Sequence, residues 1–372
     1  MRVLIVGCGY IGLPLGAELV RQGHTVFGLR RTADDAELKA AGITPLRADI
    51  TRAETLIDLP RDFDWVVNCA ASGGGDAEAY RQLYLEGNRN LIKWLTGSAA
   101  ISAASSGGVS PPGETRGGTP RELAGEDARA TTMRLKKFIY TSSTSVYGQN
   151  DGSLVTETDP VSPATETGRI LVAAENLLLA AAMSAGSAGV SPASSMGTRS
   201  LPAGRQRPQG DWKKGSPGHS PHEFPVMILR LAGIYGPGRG HWFKQFLRGE
   251  ARLEGDGSRF LNMVHGDDVV GAIIAALESD VQLPSVFNVV DDEPVMQRDF
   301  FAWLAGQLGK PMPPSVPTDA ETNRKRGVTN KRVSNQRLKR GLGYQFKYPT
   351  FREGYAVEIG RMDQTAKRPI RE

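Results

Sequence analysis

Short apolar runs recur along this chain, each ending in small or polar residues and most followed by a segment with helical spacing. Residues 3–6, 25–29, 44–46, 65–71, 137–143, 226–231 and 285–289 read as strands. Runs without an alternating polar face belong to strands covered on both sides, as in a parallel sheet. Between them, Leu13, Leu15, Ala17, Leu19 and Val20 mark a helix; residues 80–95 form a second, and 167–182 a third with Ile170, Leu171, Ala174, Leu177, Leu178 and Ala181 on one face. Further helices are expected around 242–247, up to residue 277, and over 297–308. The alternation predicts a doubly wound α/β fold with a parallel sheet over residues 1–232, a smaller and less regular α/β lobe over 233–355, and a tail from 356 to 372.

Two stretches break the pattern. Residues 98–130 and 184–222 are rich in Ser, Gly, Ala, Pro and Thr, with too little apolar surface to offset the entropy of ordering. They share wording, Ser106-Gly-Gly-Val-Ser-Pro111 against Ser187-Ala-Gly-Val-Ser-Pro192, and are read as related insertions. Each follows a helix and precedes a strand, so both are expected at the sheet edge opposite the strands' carboxyl ends, away from any ligand.

These insertions also explain the charge. The chain of 372 residues carries a net +5, and Arg199, Arg205, Arg207, Lys213 and Lys214 against Asp211 supply most of it within one insertion. A basic segment of this kind is not a binding face, and no nucleic-acid partner is expected. No apolar run reaches the roughly 18 residues that a membrane helix needs. Because the chain enters a core strand at once, no signal peptide is expected either, and a cytoplasmic location is the reading. The two cysteines, Cys8 and Cys69, read as small buried residues, not a disulfide framework. No residues have metal-ligand spacing.

The chemistry begins directly after the first strand, in Gly7-Cys8-Gly9-Tyr10-Ile11-Gly12. Gly7 permits the tight turn, Gly9 lets the backbone approach a pyrophosphate, Gly12 lets the helix pack on the strand, and the helix amides face the phosphates. A GxGxxG between an apolar strand and a helix predicts a bound dinucleotide, with Tyr10 and Ile11 beside it. The second strand ends in Arg30-Arg31, where NAD-selective sites place a carboxylate for the ribose 2′-hydroxyl. Guanidinium groups there favour NADP, with NAD still accommodated. Asp49 is placed to reach the adenine edge. Ala70, Ala71 and Ser72 after the fourth strand and Thr141 on the fifth are expected beside the cofactor.

Taken together, Gly7-x-Gly9-x-x-Gly12, Thr141-Ser-Ser-Thr-Ser-Val-Tyr-Gly148, Arg230-Leu-Ala-Gly-Ile-Tyr-Gly-Pro-Gly-Arg239, Val264-His-Gly-Asp-Asp268, Phe287-Asn-Val-Val-Asp-Asp-Glu-Pro294 and Lys331-Arg-Val-Ser-Asn335 with Leu342-Gly-Tyr344 resemble the extended short-chain dehydrogenase/reductases, the NAD-dependent epimerase/dehydratase superfamily. The resemblance runs from Met1 to about Tyr355, and it implies a Rossmann sheet and oxidoreductase or epimerase chemistry on a hydroxyl or carbonyl. It also implies that Ser143 binds the reacting oxygen. Relatives place a YxxxK on the following helix, where this chain has Thr167-Gly-Arg-Ile-Leu171. Tyrosine and lysine are both absent, a departure similar to the atypical YeeZ-like branch.

Two readings stay open. In one, Arg169 supplies the cation and Tyr147 or Tyr235 the phenol of a rewired site, the bland alternative for Arg169 being an ion pair with Glu166. In the other, the protein binds NADP as a non-catalytic sensor or regulatory partner. Arg239 and Arg259 fall where relatives hold anionic sugar-nucleotide substrates, so the resemblance implies a small-molecule partner of that kind. Helices 80–95 and 167–182 correspond to the dimer helices of relatives, implying a homodimer. Asp267 is expected as a helix N-cap and His265 as a structural residue.

Overall fold

The computed structural model describes residues 1–32, 35–72, 74, 76–97, 134–184, 224–317 and 329–366. Both expected insertions lie outside the described residues, apart from Ser184.

Seven strands form one sheet: β1 (Arg2–Val6), β2 (Thr25–Arg30), β3 (Thr44–Arg47), β4 (Trp65–Asn68), β5 (Lys137–Ser143), β6 (Val226–Leu231) and β7 (Ser285–Val289). Their order is β7-β6-β5-β4-β1-β2-β3 and every pairing is parallel. Val3, Leu4 and Ile5 are fully buried, as an apolar run in a doubly covered strand requires. The winding reverses between β1 and β4, and a crevice opens there beyond the strands' carboxyl ends.

Helix α1 (Gly12–Arg21) connects β1 to β2, and α2 (Gly87–Thr96) lies between β4 and β5. The chain moves outward in opposite directions through these two crossovers, so right-handed connections place their helices on opposite faces. Accordingly α3 (Glu166–Ser184) packs with α2, and α4 (Gly266–Glu278) packs with α1.

The segment before α2 differs from the uninterrupted helix predicted over 80–95. Ala77–Tyr80 is α-helical, Arg81–Glu86 is a π-helix, and α2 follows. Asn88 Nδ2 donates to the Tyr84 carbonyl at 2.7 Å while its Oδ1 accepts from Asn68 Nδ2 at 2.8 Å, so a side chain enters the helical ladder and widens it.

Strand β7 extends the sheet from a segment that the sequence assigned to the smaller lobe. It pairs with β6 from Ser285 opposite Met227 to Val289 opposite Leu231. Residues beyond 232 therefore contribute to two apolar clusters. Val269, Ile273, Phe287 and Val289 join the sheet core, whereas Tyr235, Phe243, Phe246, Phe300, Phe301, Phe351 and Tyr355 form a separate, largely aromatic cluster. The second cluster draws on α5 (Gln297–Leu308) and α6 (Phe351–Ala366), and α6 runs straight across residue 355, where a tail was expected.

The cap of α4 also differs from expectation. His265 is the N-cap, its Nδ1 accepting the Asp267 N–H at 3.1 Å, while Asp267 stands in the first turn and pairs with Lys347 at 2.8 Å. An imidazole nitrogen does the work expected of the carboxylate, and Asp267 instead places negative charge near the helix N-terminus.

Candidate functional site

The carboxyl ends of the central strands frame a cavity of about 800 Å³. Gly7, Gly9, Tyr10 and Ile11 line it after β1, Arg30 and Arg31 at β2, Asp49 beyond β3, Ala70, Ala71 and Ser72 beyond β4, and Thr141 and Ser143 on β5. Arg239 joins them from beyond β6.

The glycines divide the labour as their spacing predicts. Gly7 has φ +87°, and a Cβ there would come within 2.5 Å of Ala70 Cα, so only glycine lets the turn pass β4. Gly12 does not line the cavity. Its Cβ would lie 2.5 Å from the Gly7 carbonyl, so its bare face is what seats α1 against the loop. A Cβ on Gly9 would meet no atom within 4 Å, which leaves open space where a ligand's phosphate could approach the backbone. The first helical hydrogen bond of the loop is Leu13 N–H to the Gly9 carbonyl at 2.9 Å. Amides ahead of such a bond lack intrahelical acceptors and suit an anion.

Other lining groups fit a dinucleotide unevenly. Ser72 Oγ is buried with no hydrogen-bond partner among the described residues, leaving an unused polar group on the wall. The Asp49 carboxylate accepts from the Thr51 amide at 3.0 Å and hydroxyl at 2.8 Å, which fixes its orientation at the cavity edge. Arg30 is less free than its sequence position suggested: Nε donates to the Cys8 carbonyl at 2.6 Å and the guanidinium pairs with Glu37 at 3.1 Å. Arg31 beside it is exposed. Burial pushes the Cys8 thiol up to about 12 and raises Cys69 as well, so both remain protonated packing residues.

At the β5 end, Ser143 Oγ accepts the Ser145 amide at 3.2 Å. The neighbouring Ser142 also lines the cavity and donates to Glu175 at 2.5 Å. Glu175 is in turn held by Arg230 at 2.7 Å, with both side chains almost wholly buried. Leu171, at the position that the family resemblance gives to the lysine, lines the cavity, and Thr167 is buried outside its lining.

The groups expected to replace the missing pair do not reach this end of the cavity. Tyr147 is fully buried, its hydroxyl donating to Asn288 Oδ1 at 2.8 Å and accepting from Arg230 at 2.8 Å. Burial pushes its phenol up against the opposing influence of Arg230. Tyr235 is likewise buried, donating to the Thr350 carbonyl at 3.3 Å and stacked on Tyr355 at 4.4 Å. Arg169 is exposed and bonds the Ala164 carbonyl at 2.7 Å; Glu166, weighed as its ion-pair partner, pairs with Arg81 at 3.6 Å instead. Arg259 is outside the lining, paired with Glu254 at 3.2 Å and set over the Trp242 ring at 5.2 Å. Of the two arginines assigned to substrate, only Arg239 faces the cavity.

Ser142 and Tyr84, which line the cavity, and Glu175, Arg230 and Asn288, linked to Ser142 or Tyr147 by hydrogen bonds, were not singled out by sequence as site residues. A signal existed for two of them. Glu175 interrupts the apolar face of α3 and Arg230 sits inside the otherwise apolar Val226–Leu231, and charges in such positions must be paired. Among the described residues no cluster of His, Cys, Asp or Glu could hold a metal, and no helix is long and apolar enough to cross a membrane.

Comparison with known proteins agrees with this arrangement. Residues 3–197 match the model of the NAD dependent epimerase/dehydratase family. The protein YeeZ of Escherichia coli K12 is 26% identical over 360 residues, covering 94% of this chain and 96% of that protein. The solved structure of a functionally unknown conserved protein from Silicibacter pomeroyi is 26% identical, with a TM-score of 0.62 over 97% of this chain and 98% of that one. UDP-glucuronic acid 4-epimerase from Bacillus cereus, solved with UDP-glucuronic acid and NAD, shares the fold at a TM-score of 0.67 and 19% identity, covering 98% of this chain and 100% of that one. With a glycine-loop cavity at the switch point of its parallel sheet and a family match across more than half its length, this chain belongs to the NAD dependent epimerase/dehydratase family.

Proposed function

We propose that this protein binds NADP in preference to NAD and exchanges a hydride with a hydroxyl or carbonyl carbon of a small anionic substrate of the sugar-nucleotide kind. The observation that carries the reading is the cavity itself: an open face at Gly9, a Ser72 hydroxyl with no partner among the described residues, two arginines at β2 and Ser143 on β5, all lining one cavity. The Gly7–Gly12 loop and the start of α1 would hold the pyrophosphate. Arg31, with Arg30 behind it, would meet the ribose 2′-phosphate, and Asp49 the adenine edge. A bound nicotinamide supplies the hydride donor or acceptor. Ser143 would donate a hydrogen bond to the substrate oxygen, with Thr141 Oγ1 anchored on the Asn68 carbonyl at 3.2 Å beneath it. The ligands with which the Bacillus cereus epimerase was solved, NAD and UDP-glucuronic acid, support both classes.

A second reading, NADP binding without turnover, is favoured by one observation. Leu171 stands in the cavity wall where relatives use a lysine, while Tyr147 and Arg169 lie elsewhere. The two readings separate by hydride exchange with deuterated NADPH against a panel of sugar nucleotides and small carbonyls, comparing wild type with Ser143→Ala. Turnover that falls roughly a hundredfold in the variant supports the enzymatic reading. Tight NADPH binding with no exchange supports the second.

A further inference from the structure

The turn that carries Arg239 is built rigidly. Gly236 and Arg239 exchange backbone hydrogen bonds at 3.3 and 2.9 Å across Pro237-Gly238. Gly236 has φ +137°, and a Cβ on it would come within 2.9 Å of both the Tyr10 hydroxyl and His265 Nε2. His265 is 1% exposed and its Nδ1 accepts the Asp267 amide. Burial lowers its pKa to about 4, so the ring is neutral and its proton sits on Nε2, on the side packed against Gly236 and Tyr10. The Arg239 guanidinium lies 4.9 Å over the Tyr10 ring. Its placement is thus preset by a tight turn, a tyrosine face and a buried histidine, although the arginine itself is exposed.

Tyr10 follows Gly9 within the phosphate loop, and both it and Arg239 line the cavity. Set over the Tyr10 ring, the cation therefore stands beside the loop that would hold the cofactor's pyrophosphate. We infer that Arg239, held on the Tyr10 ring, is a second clamp on the dinucleotide pyrophosphate, reaching it from beyond β6 on the side facing the glycine loop. The chemistry recognised is a diphosphate, and the cofactor is its source. This inference rests on the dinucleotide reading above. Arg239 is thereby reassigned from substrate to cofactor, and the segment after β6 closes on the cofactor whether or not substrate is present.

The test is calorimetric titration of the full chain and of Arg239→Ala, Arg239→Lys and Tyr10→Leu with NADH, ADP and adenosine, followed by UDP-glucose added to NADH-saturated protein. Arg239→Ala should weaken NADH and ADP alike by roughly 10- to 100-fold, the worth of a charge-assisted hydrogen-bonding group, and leave adenosine unchanged. Arg239→Lys should recover part of the loss, and Tyr10→Leu should reproduce it while adding little to Arg239→Ala in the double variant. Unchanged NADH and ADP affinities in Arg239→Ala overturn the clamp. So does a loss confined to UDP-glucose, which would return Arg239 to the substrate. Failure of the wild type to bind NADH or ADP overturns the dinucleotide reading itself, and the clamp with it.

Discussion

The buried pair of Arg230 and Glu175 offers a direct test of how the floor of the cavity is held. The guanidinium donates to both Glu175 oxygens at 2.7 to 3.2 Å and to the Tyr147 hydroxyl at 2.8 Å, and Glu175 also accepts from Ser142 at 2.5 Å. Desolvation alone would lower the arginine's pKa, but the hydrogen bonds and charge of Glu175 reverse this, and the guanidinium titrates above its ordinary value. Replacing Arg230 with Met leaves a carboxylate in the interior with only a serine to answer it. Breaking a buried pair in this way costs about 3–5 kcal/mol. With an unfolding entropy of about 2 cal/mol/K per residue over roughly 280 described residues, the melting temperature should fall by about 5–9 °C. Glu175→Gln should cost less, because the uncharged amide still meets Ser142. The double variant Arg230→Met/Glu175→Leu should recover most of the loss, since removing both charges removes the desolvation cost. The assay is thermal melting with urea denaturation of all four proteins. An Arg230→Met protein that melts with the wild type, or a double variant less stable than either single, would refute the reasoning.

Three further outcomes are expected. Arg31→Ala should weaken NADP by roughly tenfold and NAD hardly at all, with a smaller differential for Arg30→Ala because that guanidinium is already shared between Cys8 and Glu37; competitive titration of the two cofactors checks this, and equal losses would count against the 2′-phosphate assignment. Gly12→Ala should lower both stability and dinucleotide affinity, because the new methyl would lie 2.5 Å from the Gly7 carbonyl and push α1 off the loop; a fully folded variant with wild-type affinity contradicts that packing. His265 titrates near 6.5 when exposed and at about 4 in the folded protein because burial disfavours its cation. Between those values the unfolded chain binds the extra proton, so stability should fall as pH drops from 6.5 to 4, by up to ~3 kcal/mol. His265→Asn should flatten that slope, and melting curves across the range would show whether it does.

The fold was legible wherever local pattern decides it. All seven sheet strands appear as apolar runs, and the glycine loop announces its own place, because burial on both faces and a strand-to-helix turn are written in contiguous residues. What the local pattern could not show was pairing over distance. Nothing near residues 285–289 says that they extend the sheet at the β6 edge, since strand order is a property of the assembled sheet. The π-helical turn before α2 goes with a hydrogen bond to Asn88 from Asn68, 20 residues earlier in sequence. Tyr147 was misplaced for a similar reason. Its position close after Ser143 suggested the cavity, but the short helical turn Thr144–Val146 sends its ring into the interior, toward Arg230 and Asn288. Arg259 was assigned to substrate only through the family resemblance, yet Glu254, five residues earlier, pairs with it.

The central claim is that the cavity at the end of the sheet binds a dinucleotide, and calorimetric titration of the purified protein with NADPH, NADP, NADH and NAD tests it most directly. The account predicts saturable binding of one dinucleotide per chain, tightest for the 2′-phosphorylated forms, displaced by ADP and weakened in Gly12→Ala. No binding of any of the four by a folded protein would contradict it.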